Sequence, residues 1–363
     1  MSSSKDDRLR VVVVDDSMFI RKAITRMLED DPQIHVVGSA GSGEELLTHL
    51  ETWKPDVVTL DLEMPGMGGL ATLGRMTAVR PTPVIILSTH SGKGAPLTIE
   101  ALHRGATDFI DKQQYSLVDF GALRHVLLEK ILQVSGRAPS VGPEVDFLDA
   151  DLTAAWAAAP SAVRMPSAYD LVVIGASTGG PPALQLILEE LGPTVSVPVV
   201  IVQHMPKGFT QAFAERLNTH LPLQVREVQH SENLVPDTVY IAVAGSHLRV
   251  RRKDNDLVSE LSPFPKNSVH TPSVDVLFES AARSAGRRAI GVLLTGMGND
   301  GAKGMAALKA VGSYTLCQDE SSCVVFGMPR AALALGAVSE VAPPQQIGRR
   351  LRELLAAVQE ARG

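Results

Sequence analysis

The chain has 363 residues, of which 45% are hydrophobic and 20% charged, which is long enough for two domains that each bury a sizeable core. A formal net charge of −6, with no Lys/Arg-dense stretch interleaved with aromatics, excludes the electrostatic footprint of a nucleic-acid binder. No apolar run reaches membrane-spanning length and the first residues lack the apolar stretch of a signal peptide, so a cytoplasmic protein without membrane insertion is expected.

In chain order, the apolar runs at 11–14, 34–38, 57–60, 84–87 and 107–110 have strand length. Between the first two, Phe19, Ile20, Ala23, Ile24, Met27 and Leu28 recur at helical spacing. Such alternation predicts a doubly wound parallel sheet, with ligands at the carboxyl ends of its strands. Asp15 and Asp16 end the first run, Asp61 the third and Ser88 the fourth, and Lys112 lies just past the fifth. Taken singly, a strand-end acid is as readily a loop cap. Together on one rim, Asp15, Asp16 and Asp61 can hold one Mg2+, which favours a few protein oxygens plus phosphoryl oxygens. The metal would offset charge as the Asp61 carboxylate attacks phosphorus, and Ser88 and Lys112 would bind the new phosphoryl group.

The strings Val11-Val12-Val13-Val14-Asp15-Asp16-Ser17 and Leu60-Asp61-Leu62-Glu63-Met64-Pro65-Gly66-Met67 carry a resemblance over residues 9–134. This segment is similar to the receiver domain of bacterial response regulators. The resemblance implies a flavodoxin-like fold, phosphorylation at Asp61 by a histidine kinase and Mg2+ at Asp15, Asp16 and Asp61. It also implies switch roles for Ser88, Phe109 and Lys112. Gly68 and Gln113 depart from the family's usual Asp and Pro.

From 135 to 168 the composition turns to Pro, Ala, Ser and Gly, with Pro139, Pro143, Pro160 and Pro166 breaking regular structure, as a linker does. If 144–159 is helical, Phe147, Leu148, Leu152, Ala155 and Trp156 share one face. A disordered tether is the other reading.

A second α/β series begins at 169. The run Tyr169-Asp170-Leu171-Val172-Val173-Ile174 leads into Gly175-Ala176-Ser177-Thr178-Gly179-Gly180. A Gly-x-Ser-x-Gly turn between strand and helix holds a hydroxyl clear of its own backbone. Pro181 and Pro182 suit a first helical turn, so amides after Ser177 are expected to face a developing oxyanion. His204 follows the run 198–203, and Asp300 lies in Thr295-Gly296-Met297-Gly298-Asn299-Asp300-Gly301 after the run 289–294. If those strands flank that of Ser177, His204 can take the Ser177 proton and Asp300 can orient the imidazole. A lone histidine or a Gly-rich loop is usually structural, and only the common position after strands reverses that. A dinucleotide fold would need a third glycine at Ser177's place, and the ordinary α/β-hydrolase orders its triad Ser, acid, His. Cys317 and Cys323 match neither a disulfide framework nor a zinc pattern. The closing helix aligns Ile347, Leu351, Leu354, Leu355 and Val358, leaving Arg349, Arg350 and Arg352 as a solvated face.

Four strings complete the sequence reading: Ile174 to Gly180, Gln203-His204-Met205, His270-Thr271-Pro272-Ser273-Val274-Asp275-Val276-Leu277-Phe278, and Leu294 to Gly301. On these, residues 169 to about 358 resemble the catalytic domain of the CheB family of chemotaxis protein-glutamate methylesterases. The resemblance implies a Rossmann-like α/β domain over 169–363 with a Ser177–His204–Asp300 triad. Thr178 and Met297 would stand at the oxyanion site, and His270 at the mouth or in a structural role. Methyl-accepting chemoreceptors would be the substrate, hydrolysed at glutamate γ-methyl esters or deamidated at glutamines, with no cofactor for hydrolysis. An esterase acting outside chemotaxis, or a non-catalytic response regulator, is the alternative.

Overall fold

The computed structural model describes residues 7–88, 94–114, 120–137, 169–266 and 268–360. The chain divides into two compact units, Met1–Gly142 and Pro143–Gly363. Of the linker expected at 135–168, residues 138–168 lie outside the described residues, and with them the apolar face considered for 144–159.

The first unit alternates β1 (Leu9–Val14), α1 (Met18–Glu29), β2 (Ile34–Ala40), α2 (Gly43–Trp53), β3 (Val57–Asp61), α3 (Gly68–Val79), β4 (Val84–Ser88), α4 (Gly94–His103), β5 (Asp108–Asp111) and α5 (Phe120–Val134). The strands pair in parallel in the order β2-β1-β3-β4-β5. Val11 to Val14 are fully buried, because helices cover both faces of the sheet and a continuous apolar run is what such a strand needs. The doubly wound expectation therefore holds, and all five carboxyl ends share one rim.

The second unit begins β6 (Leu171–Ala176), α6 (Gly180–Leu191), β7 (Val199–Gln203), α7 (Phe209–His220), β8 (Gln224–Val228) and β9 (Thr238–Ala242). It continues through β10 (His247–Lys253), β11 (Asp256–Ser262), α8 (Val274–Ala285), β12 (Ala289–Leu293), α9 (Ala302–Ala310), β13 (Tyr314–Gln318), α10 (Met328–Ala334), β14 (Glu340–Ala342) and α11 (Pro344–Glu360). Seven strands form a parallel sheet in the order β14-β13-β12-β6-β7-β9-β8. The antiparallel pair β10–β11 stands apart from it. Its edge is tied to α8 where the Ser280 hydroxyl accepts the Val250 amide at 2.9 Å.

In α11, Ile347, Leu351, Leu354 and Leu355 are buried as the stripe requires, while the Val358 side chain lies outside the described residues. The arginines do more than face water. Arg349 and Arg352 reach Glu190 at the end of α6, at 3.1 Å to its carboxylate and 2.8 Å to its carbonyl, and Arg350 pairs with Glu340 at 3.1 Å. Exposed pairs of this kind add little stability.

No described helix is long and apolar enough to cross a membrane. Both cysteines are free, Cys317 buried and Cys323 half-buried. Burial raises the Cys317 thiol far above its usual value and pushes Cys323 up to about 12, so neither forms thiolate near neutrality. Ellman's reagent at pH 8 should leave both unlabelled in native protein and label both in denaturant; fast labelling before unfolding would contradict the burial.

Candidate functional site

The second sheet places β6 between β12 and β7. Ala176 is in register with Gln203, and Gly175 with Leu293, so Ser177 and His204 leave their strands side by side, about 4.8 Å apart in backbone. The His204 amide donates to the Ala176 carbonyl at 2.9 Å and the Ser177 amide to the Thr295 carbonyl at 3.0 Å. Thus the segments before all three candidate residues continue as adjacent strands. The chain then reverses at Gly179, whose φ of +77° is left-handed and where a Cβ would sit 2.5 Å from Val324. Only glycine suits such a turn.

The helix start after Ser177 offers fewer donors than the sequence suggests. Pro181 and Pro182 carry no N–H, the Gly180 amide is spent on the Ser177 carbonyl at 2.8 Å, and Ser177's own amide on Thr295. Among the described residues, the amides of Gly179 and Met297 have no hydrogen-bond partner. Thr178 is buried, and its carbonyl accepts the Thr295 hydroxyl at 2.9 Å.

His204 and Asp300 are in direct contact. A carboxylate only accepts, so His204 Nε2 is the protonated nitrogen, donating to Asp300 Oδ2 at 2.9 Å. The other ring nitrogen, Nδ1, is buried without a hydrogen-bond partner. It makes no hydrogen bond with the Ser177 hydroxyl in this structure, as is common for such pairs before substrate binds. Asp300 also accepts the Ser273 hydroxyl at 2.8 Å and the amides of Val274 at 2.8 Å and Asp275 at 3.0 Å. Burial pushes the Asp300 carboxyl up, but the His204 hydrogen bond and charge and these amides outweigh it and hold the group well below 3.8. It therefore stays ionised near neutrality, as the orienting role expected of it requires. His270 stacks on His204 with ring centroids 4.1 Å apart. Burial and the neighbouring imidazole push His270 down to about 4, so it covers the His204 ring as a neutral group at pH 7.

Sequence reasoning left three supporting residues without a role. Gln203 is buried, and its side-chain amide donates to the carbonyls of Ser177 at 2.8 Å and His204 at 3.1 Å, clipping the two turns together. Thr295 Oγ1 ties Thr178 to Val325, accepting the Val325 amide at 3.0 Å. Ser273 is held from behind by the fully buried His247, whose Nδ1 accepts the Ser273 amide at 3.2 Å and whose Nε2 donates to the Pro265 carbonyl at 3.0 Å. All three lie in strings quoted above, so the signal was present as motif but not as contact.

On the first unit's rim, carboxylate oxygens of Asp15, Asp16 and Asp61 lie within 4.8 Å of one another. Asp15 and Asp61 are buried, and Lys112 Nζ bridges them at 3.1 and 2.6 Å. Burial pushes the Asp15 carboxyl up, with Lys112 opposing and Asp61 reinforcing. For Lys112, burial is the largest influence and opposes the charge, yet Asp61 and Asp15 together raise it above its ordinary value. A site that draws an ammonium between two carboxylates suits a small hard cation held by oxygens. Ser88 is buried and its hydroxyl accepts from Thr98 Oγ1 at 2.5 Å. Phe109 is also buried, directly before this rim on β5.

The comparisons with known proteins agree with both units. A family model described as CheB methylesterase matches residues 172–351, and one described as response regulator receiver domain matches 11–118. A Bordetella avium protein called protein-glutamate methylesterase/protein-glutamine glutaminase 2 is 43% identical over 348 residues, covering 95% of this chain and 96% of its own. A Nitrosomonas europaea protein named for the same two activities is 40% identical over 349 residues, with 95% and 96% covered. Among solved structures, the Thermotoga maritima CheB methylesterase catalytic domain matches with 38% identity and a TM-score of 0.50, over 52% of this chain and 99% of that one.

Proposed function

We propose, from the premise that this chain belongs to the CheB family of protein-glutamate methylesterases, that Ser177, His204 and Asp300 carry its ester hydrolysis and that Asp61 controls it. The chain is a two-domain chemotaxis methylesterase with a receiver domain, and its relatives are named for glutaminase activity as well. Those names favour catalysis over a regulator that only binds.

In the proposed reaction Ser177 Oγ attacks the γ-carbonyl carbon of a glutamate methyl ester on a chemoreceptor, giving its proton to His204 Nδ1. Asp300 stabilises the imidazolium that forms. Backbone donors around Thr178 and Met297 hold the oxyanion. The tetrahedral intermediate expels methanol, which takes the proton from His204. Water, deprotonated by the same nitrogen, then releases glutamate and restores Ser177. A glutamine side chain follows the same course with ammonia leaving. The observation that carries this reading is the His204 ring, with one nitrogen on Asp300 and the other buried and unpartnered, on a backbone that runs beside that of Ser177.

In the receiver domain, Asp15, Asp16 and Asp61 would hold Mg2+, which would screen the charge developed during phosphoryl transfer. Asp61 would accept the phosphoryl group from a histidine kinase, and Lys112 and Ser88 would turn toward it, with Phe109 as the aromatic that reports the change. A small-molecule phosphodonor should raise methanol release from methylated receptor membranes by wild type and leave Asp61→Asn at its basal rate; equal stimulation of both would refute control through Asp61. A fragment starting near Ser167 should outpace the unphosphorylated full chain, and equal rates would rule out inhibition by the receiver.

A further inference from the structure

Asp300 and Asp275 cap each other's helices. Asp300, two residues ahead of α9, accepts the amides of Val274 and Asp275, the first two residues of α8. Asp275 in turn accepts the amide of Gly304, the third residue of α9, at 2.7 Å. The two helix starts come this close because Gly304 has no side chain; a Cβ there would lie 2.5 Å from Phe278 Cβ and 3.1 Å from Asp275 Cα. A closed ring of hydrogen bonds therefore joins α8, α9 and the loop between β12 and α9, and the Asp300 bond to His204 is mounted on it.

We propose that Asp275 is a positioning residue for the methylesterase reaction: by capping α9 it fixes the Asn299-Asp300-Gly301 turn and with it the aim of the Asp300 carboxylate at His204. This rests on the assignment of Asp300 to the reaction. A helix start is capped equally well by a serine or threonine hydroxyl, whereas a second carboxyl beside Asp300 is electrostatically unfavourable. Burial and the Asp300 charge push Asp275 up to about 7, with the Gly304 amide opposing.

The test is a double-mutant cycle in the full-length protein, reading kcat and KM for methanol release from methylated receptor membranes at a temperature where every variant is folded. Asp275→Ala should lower kcat by about 10- to 100-fold with KM within about twofold, but by less than about twofold when Asp300→Ala is already present. An equal loss in both backgrounds, or no loss in the first, overturns the proposal. Asp275→Asn keeps an acceptor for Gly304 and should stay within about threefold of wild type; a loss as large as that of alanine overturns the capping route. Should Asp275→Ala fail to fold by circular dichroism, Gly304→Ala, which displaces α9 while keeping both carboxyls, enters the same cycle under the same criteria. Wild-type turnover by Asp300→Ala alone would instead refute the parent assignment.

Discussion

Ser177→Ala is expected to lower methanol release by at least about ten-thousand-fold, because loss of the proposed nucleophile removes the covalent route and leaves only binding and oxyanion donors. The substitution deletes one oxygen from a turn whose backbone is held by other groups: the Ser177 amide by Thr295, and its carbonyl by Gly180 and Gln203. Stability should therefore change little, and the receiver unit is built from separate elements. Phosphorylation of Asp61 in Ser177→Ala should proceed at the wild-type rate, measured with a labelled phosphodonor. Comparable methanol release by the two proteins would remove Ser177 from the reaction.

Asp300→Ala should act twice. Turnover should fall by about ten-thousand-fold, since in the proposed reaction His204 loses the group that selects its tautomer and stabilises its charged form. Stability should fall by about 1–2 kcal/mol, because the start of α8 loses the acceptor for the Val274 and Asp275 amides. In a domain of this size that is a drop of about 2–8 °C in Tm. The Asp300 carboxyl is held below 3.8 in the folded protein, so its stabilising contribution is complete above that pH and disappears as pH falls through the folded value. The gap in Tm between wild type and Asp300→Ala should accordingly be wide at pH 7 and close on acidification below about pH 4. A gap that is constant with pH, or full activity in the variant, would contradict the ionised, orienting role.

How far these features were legible follows from burial and distance along the chain. The central strands were readable because a parallel strand covered on both faces must be apolar throughout, as Val11 to Val14 and Leu171 to Ile174 are. The β10–β11 pair was not foreseen. Leu248 and Val250 are buried while Arg249 and Arg251, on the other face, are half-buried and exposed, so its periodicity is that of a one-faced strand outside the main sheet. Ser177, His204 and Asp300 stood out because each follows an apolar run. Their supports did not, because Ser273 and Asp275 meet Asp300 across 27 and 25 residues, and a sequence does not display which polar atoms will face one another. Arg349 and Arg352 of α11 were read as solvated for the same reason, since their partner Glu190 lies 159 residues from Arg349 and 162 from Arg352.

The placement of β6, α6 and β7 has a consequence for synthesis. Serine and histidine belong to one contiguous strand–helix–strand unit clasped by Gln203, while the acid arrives 96 residues beyond the histidine. On the ribosome, where a chain emerges amino-terminus first, Ser177 and His204 are therefore made well before Asp300, the group proposed to orient them. In the proposed reaction, ester hydrolysis at full rate therefore has to wait for the segment that carries Asp300.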